Sequence, residues 1–249
     1  MTAVTFHPSY SYEDFVEGFR PAATPGEGLR LSLQDGIFKR VCTHAAERPE
    51  QTFVVLIDEI NRGNLPRIFG ELITVLESDK RNTSVVLAQS RQSLSVPSNV
   101  YIVGTMNTAD RSIKMLDAAI RRRFAFHELM PEPGLLAGQR FGDLALDAFL
   151  EHLNQKIIAK FGREKQIGHS YFLVDDEPVQ DPQEFANRVR YEVIPLLQEY
   201  CYEDYRTLAE LLGTEIVDRD AQRVRSEVVD LPESLVAALD NLMNKPQGV

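Results

Sequence analysis

The chain has 249 residues, 43% hydrophobic and 26% charged, ample for a large core and ordinary for a globular protein. A net charge of −10 and a pI near 5.1 exclude a surface that coats nucleic acid along its whole extent, though not a local basic pore or a separate DNA-reading domain. No apolar stretch approaches the roughly 20 residues that span a bilayer, and no basic-then-apolar signal region opens the chain. Two distant cysteines without metal-ligand spacing, Cys42 and Cys201, suit a reducing cytoplasm, which is the expected location.

Val4-Thr5-Phe6-His7 reads as a short strand ended by Pro8, and Ser9 to Gly18 as a short helix with aromatics on one side and acids on the other. Pro21 to Gly28, rich in Pro, Gly and Ala, reads as a loop. Gly36 to Glu47 reads as a helix with Ile37, Phe38 and Val41 on its apolar face and a solvated His44. The unbroken run Phe53-Val54-Val55-Leu56-Ile57 then suits a strand buried on both faces, as in a parallel sheet covered by helices.

That strand ends in Asp58-Glu59. At the carboxyl end of a parallel strand, side chains emerge where open α/β sheets bind ligands. A carboxylate pair there has the form of a Walker B element, the first acid linked to Mg²⁺ and the second orienting or deprotonating a water. The alternative is an acidic helix start with Asp58 as N-cap. Leu65 to Glu77 follows as a strongly amphipathic helix, then a turn at 79–82 and a hairpin of Val85–Leu87 with Leu94–Val96.

Asn99 to Val103 reads as a second buried strand, running on through Gly104-Thr105-Met106 to Asn107. Two such strands around a helix form a parallel, right-handed βαβ unit, which brings Asp58, Glu59 and Asn107 to one sheet edge. There Asn107 is either a water-holding or phosphate-sensing amide, or a helix cap beside Thr108 and Asp110. A helix from Ile113 to Arg122 ends in Arg121-Arg122-Arg123. These arginines either complement the helix's negative end or project as an arginine finger toward a neighbouring subunit. Phe124 to Leu129 reads as an alternating strand.

After Pro131-Glu132-Pro133-Gly134 the pattern turns helical. Predicted helices run from Leu144 to Phe161, from Gln183 to Tyr200 with an interruption at Pro195, and from Tyr205 to Leu212, ended by Gly213. The expected division is 1–130, 131–213 and a tail, 214–249, with one amphipathic helix from Pro232.

Several segments together resemble the AAA+ NTPase module of the McrB family, the motors of methylcytosine-specific restriction systems. They are Phe6 to Phe15, Asp58-Glu59-Ile60-Asn61-Arg62-Gly63-Asn64, Gly104 to Ser112, Leu116 to Phe124 and Ile167-Gly168-His169-Ser170-Tyr171-Phe172. The resemblance runs from about residue 3 to 213 in family order. It implies a three-layer α-β-α parallel sheet followed by an all-α lid. It also implies Asp58 as the Mg²⁺-linked acid, Glu59 as the water-activating acid and Asn107 as the sensor within Asn107-Thr108-Ala109-Asp110. That signature implies GTP as substrate, with ATP as the alternative. Arg122 matches the trans finger, with Arg121 and Arg123 as rivals; Arg111 and Asp117 shape the same inter-subunit edge. Asp110, Arg111 and His169 are candidates for nucleotide contact, His169 equally for lid packing.

By the same resemblance the partners are a homo-oligomeric ring, a McrC-like nuclease subunit, and DNA held through a domain outside this chain; no membrane is implied. The departure is a missing Gly-x-x-x-x-Gly-Lys-Ser/Thr, which occurs nowhere in the sequence. The family's N-terminal strand and phosphate-binding loop therefore lie outside these 249 residues, and the chain alone is expected to be inactive. The alternative is a non-hydrolysing assembly subunit that lends its arginine to a ring.

Overall fold

The computed structural model describes residues 1–24, 27–107 and 118–244. It forms two compact units, Met1–His127 and Glu128–Val249.

In the first unit, strands β1 (Thr2–Thr5), β4 (Phe53–Asp58) and β7 (Val100–Gly104) form a parallel sheet in the order β1-β4-β7. Val4 pairs with Ile57, and Ile57 with Gly104, so all three strands end at one edge. The α/β reading holds. Val4, Val55, Ile57 and Val100 share one core with Phe38 and Val41 of helix α2 (Ile37–Ala46) and with Ile68 and Phe69 of α3 (Leu65–Phe69). Phe15, on the short helix α1 (Tyr12–Phe15), stacks on Phe38 with ring centroids 4.9 Å apart and meets Phe69 edge-on at 4.9 Å.

The second sheet face departs from expectation. It carries Ala3, Val54, Leu56, Tyr101 and Val103, with Tyr101 57% and Val103 50% exposed. A continuous apolar run predicts burial on both faces, but among the described residues the strands are deeply covered on one.

Three other expectations change. The loop at 21–28 falls largely within an antiparallel hairpin, β2 (Glu17–Thr24) with β3 (Glu27–Asp35), where Pro21 pairs with Leu31. A two-stranded ribbon leaves each strand one outer edge, and there the missing proline N–H costs no ladder bond. The amphipathic helix from Leu65 breaks at Gly70, whose φ of +52° only glycine adopts easily, and continues as a 3₁₀ segment, Gly70–Leu76. Leu72, Val75 and Leu76 stay buried, so the apolar stripe survives the break. The strand expected over Phe124 to Leu129 is irregular chain with no ladder partner among the described residues. The expected hairpin is present as β5 (Ser84–Val86) with β6 (Ser93–Ser95). Of the helix expected from Ile113, residues 113–117 lie outside the described residues, and α4 (Ala118–Arg121) is its helical end.

The second unit is mainly helical, with two-residue hairpins: α5 (Leu146–Phe161), α6 (Pro182–Arg188), α7 (Ile194–Cys201), α8 (Tyr205–Leu212), α9 (Ser226–Val229) and α10 (Pro232–Asn244). Phe149, Leu153, Phe172, Phe185 and Val189 form its core. Leu235 and Leu239 of α10 are fully buried in that same core, so the segment beyond 213 is integral to this unit. Between α6 and α7, Val189–Val193 winds as a π-turn. Pro195 has no N–H and its ring would clash with the carbonyl four residues back; the wider turn accommodates it without ending the helix.

Candidate functional site

Asp58 closes β4 and Thr105 follows the end of β7 one strand over. The Thr105 hydroxyl donates to Asp58 Oδ1 at 2.5 Å, and the Glu59 N–H donates to Thr105 Oγ1 at 3.2 Å. One hydroxyl thus ties both acids to the neighbouring strand. Gly104 makes this approach possible, since a Cβ there would come within 2.8 Å of Ile60 Cδ1. Glu59 itself has φ +53° and ψ +45°, the left-handed region that a side chain enters at a cost. Its Oε2 accepts from Arg62 Nε at 3.0 Å across a 3₁₀ turn, Ile60–Arg62. Asn61, buried, donates from Nδ2 to the Asn107 carbonyl at 3.2 Å. Asp58, Glu59 and Asn107 therefore meet at one sheet edge, as the sequence predicts.

The edge offers hard oxygen donors, the Asp58 carboxylate and the Thr105 hydroxyl. Among the described residues no three His, Cys, Asp or Glu converge into a closed metal cage. Oxygen donors of this kind suit a cation such as Mg²⁺, which keeps several waters and takes one or two protein carboxylates with the rest of its shell from phosphate.

The arginine triplet stands at the other end of the sheet. Arg122 and Arg123 line a cleft of about 900 Å³ with Glu77, Lys80, Arg81, Val100 and Tyr101, and Val100 begins β7 where Gly104 ends it. At about 3.3 Å per residue, that strand alone separates the two ends by roughly 13 Å. The three arginines differ in kind. Arg123 is 5% exposed and forms an ion pair with Glu77 Oε1 at 3.0 Å. Arg121 lies over the Phe126 ring, 5.1 Å from its centroid. Arg122 is 65% exposed, its Nη2 3.5 Å from Glu77 Oε1. Lys80 completes the set at 2.5 Å, and its hydrogen bond, with the charges of Arg123 and Arg122, holds the Glu77 carboxyl below the usual carboxylate range.

In the second unit, His169 Nδ1 accepts from the Glu132 N–H at 3.0 Å. The segment carrying His169 is pinned by Asn154, a buried amide that donates to the Ile167 carbonyl at 2.9 Å and accepts from the Ile167 N–H at 2.7 Å. Thr108, Asp110, Arg111 and Asp117 lie outside the described residues.

Sequence reasoning gave no role to Thr105, Arg62, Glu77 or Asn154. Asn154 did carry a signal, a polar residue on the apolar stripe of α5; the other three act through partners that only the folded chain brings close. Among the described residues no helix is long and apolar enough to cross a membrane.

The comparisons with known proteins cover both units. The profile of the family described as "AAA domain (dynein-related subfamily)" matches residues 1–124, and that described as "McrB, alpha-helical lid domain" matches residues 145–209. The chain is 42% identical over 223 residues to the type IV methyl-directed restriction enzyme EcoKMcrB subunit of Escherichia coli (strain K12), covering 81% of this chain and 47% of that protein. It is 26% identical over 236 residues to the type II restriction enzyme BsuMI component YdiS of Bacillus subtilis (strain 168), covering 76% of this chain and 68% of that protein. The chain thus spans about half the length of the E. coli relative. Sheet topology, paired acids at the strand ends and both family profiles agree: the chain belongs to the McrB-type AAA+ modules.

Proposed function

We propose that the chain is the hydrolytic core and lid of a ring-forming NTPase motor, with GTP as the leading nucleotide and ATP as the alternative. The observation that carries this reading is the tie of Asp58 and Glu59 to Thr105 at one sheet edge, with the Asn107 carbonyl held there by Asn61, while an exposed arginine stands at the opposite end.

In this reading Asp58, oriented by the Thr105 hydroxyl, would hold Mg²⁺. The ion, when bound, neutralises charge on the phosphates. Glu59 orients the attacking water and takes its proton; between turnovers its carboxylate rests on Arg62. Asn107 holds the water or senses the terminal phosphate. Arg122 completes a neighbour's site in trans, and Arg121 and Arg123, engaged by Phe126 and Glu77, are the lesser candidates. Asp110, Arg111 and His169 contribute to nucleotide contact. In the assembled system, hydrolysis drives DNA translocation and activates a McrC-like nuclease in modification-dependent restriction in the cytoplasm. The methyl-directed restriction role named for the E. coli relative supports that extension. A non-hydrolysing subunit that lends Arg122 to a ring is the second reading.

Calorimetric titration with Mg²⁺–GTP and Mg²⁺–ATP tests the proposal. The chain alone is expected to show no binding up to millimolar nucleotide, because the phosphate cradle is missing. Joined behind a Walker A strand, loop and helix, it is expected to bind at micromolar concentration and hydrolyse GTP faster than ATP. Absence of hydrolysis in that form, with binding intact, would favour the non-hydrolysing subunit.

A further inference from the structure

We propose that Glu77 is a positioning residue for Arg122, a single carboxylate that aims the exposed guanidinium and yields it to a neighbour's phosphate. The proposal rests on the reading of Arg122 as the trans arginine.

The geometry separates a lock from a tether. Around Glu77, 19% exposed, Lys80 donates to Oε2 at 2.5 Å, and Arg123, itself only 5% exposed, forms an ion pair with Oε1 at 3.0 Å. Arg122 stays at 3.5 Å, where charge attraction persists and a directed hydrogen bond does not. Two cations fix the carboxylate, and the fixed carboxylate biases the third cation without immobilising it. Charge points the same way. The cleft gathers Lys80, Arg81, Arg122 and Arg123 against Glu77 and Asp79, a surplus of two positive charges. Arg81 donates to the Leu76 and Val100 carbonyls, which leave its charge uncompensated. An incoming phosphate, with more charge than one carboxylate, is the stronger partner for Arg122.

Glu77 is also placed to couple the two ends of the sheet. It directly follows the segment 65–76, which starts three residues after Arg62, the partner of Glu59. Leu65, Ile68, Phe69, Leu72, Val75 and Leu76 bury that segment in the core, so a displacement at its start has a packed route to Glu77.

A double-mutant cycle in the form joined to a Walker A segment tests this, with kcat, KM and Tm read for each variant. Arg122→Ala is expected to lower kcat by about 10³-fold or more. Glu77→Gln, whose amide oxygen still accepts from Lys80, is expected to lower kcat by about ten- to a hundredfold with KM and Tm little changed. Glu77→Asp should recover part of the loss. The double variant should be no slower than Arg122→Ala alone. Additive losses, a kcat loss that tracks a fall in Tm, or no effect of Glu77→Gln beside a slow Arg122→Ala would overturn the positioning role alone. An Arg122→Ala variant as fast as the parent would overturn the trans-arginine reading and the proposal with it.

In the chain as it stands, side-chain ¹⁵N relaxation of Arg122 gives a readout without turnover. Glu77→Gln is expected to bring its Nε–H to the mobility of a free arginine while Arg123 stays ordered. Unchanged Arg122 mobility would also overturn the tether.

Discussion

At the scale of single residues, the acids at the sheet edge are held by unlike means. Asp58 is oriented by a neutral hydroxyl, Thr105, whereas Glu59 rests on a cation, Arg62. The backbone at Glu59 is the more telling feature. A left-handed φ costs a side-chain-bearing residue about 1 kcal/mol, which glycine does not incur. Glu59→Gly is therefore expected to be about 1 kcal/mol more stable to urea than Glu59→Ala, although neither carries a carboxylate. Equal stability would mean that the backbone at 59 relaxes on substitution. The thiols form a contrast at the same scale: burial pushes Cys42 up to about 12 and Cys201 up to about 11, which suits packing rather than chemistry.

At the scale of elements, two hairpins are joined by buried charge. Glu17 at the base of β2 is fully buried, accepts from Lys39 Nζ at 2.8 Å and from the Ser90 N–H at 2.8 Å, and so ties one hairpin to the turn between β5 and β6. Lys39 also meets Asp35 at 2.7 Å and Gln92 at 3.3 Å. Burial pushes the Glu17 carboxyl up, but Lys39 and the Ser90 donors outweigh it, and the net value lies below the ordinary one. A carboxyl depressed in the folded state stabilises above its unfolded value, about 4.3, and that contribution is lost as pH falls through the folded value. The urea midpoint of the first unit should thus fall steeply below about pH 4. Glu17→Gln should cost about 2 kcal/mol at pH 7 and flatten that acid limb. A limb of unchanged steepness would assign the acid sensitivity to other carboxylates.

Elements also differ in how far the sequence foretold them. The central strands were legible from their continuous apolar runs, and α5 and α8 from an apolar spacing that keeps one period from end to end. The β2–β3 hairpin was not, since Pro21 and the glycines after it give the sequence the composition of a loop, while the ribbon accommodates Pro21 opposite Leu31. The break at Gly70 was hidden for the opposite reason: the apolar stripe runs on past it. In the candidate site, Asp58, Glu59 and Asn107 were legible as strand endings. Thr105, Arg62 and Glu77 were not, because what they do depends on partners supplied by the folded chain.

At the scale of the whole molecule, each unit has its own core and the catalytic residues proposed here lie in the first. The apolar face bearing Tyr101 and Val103 makes that unit prone to association when it stands alone. The other large-scale feature is the distance between the acids at the carboxyl end of the sheet and Arg122 at the start of β7. An open row of n such subunits has n − 1 completed junctions, and a lone subunit has none; only closure of the row gives every subunit one. Specific activity in the form joined to a Walker A segment is therefore expected to collapse on dilution and to rise more steeply than linearly with protein concentration until rings close. A rate per subunit that stays constant across a hundredfold dilution, with monomers seen by ultracentrifugation at the low end, would place all the catalytic groups within one chain. On the trans reading proposed for Arg122, the concentration of the protein would itself control its turnover, acting before any nucleotide is bound.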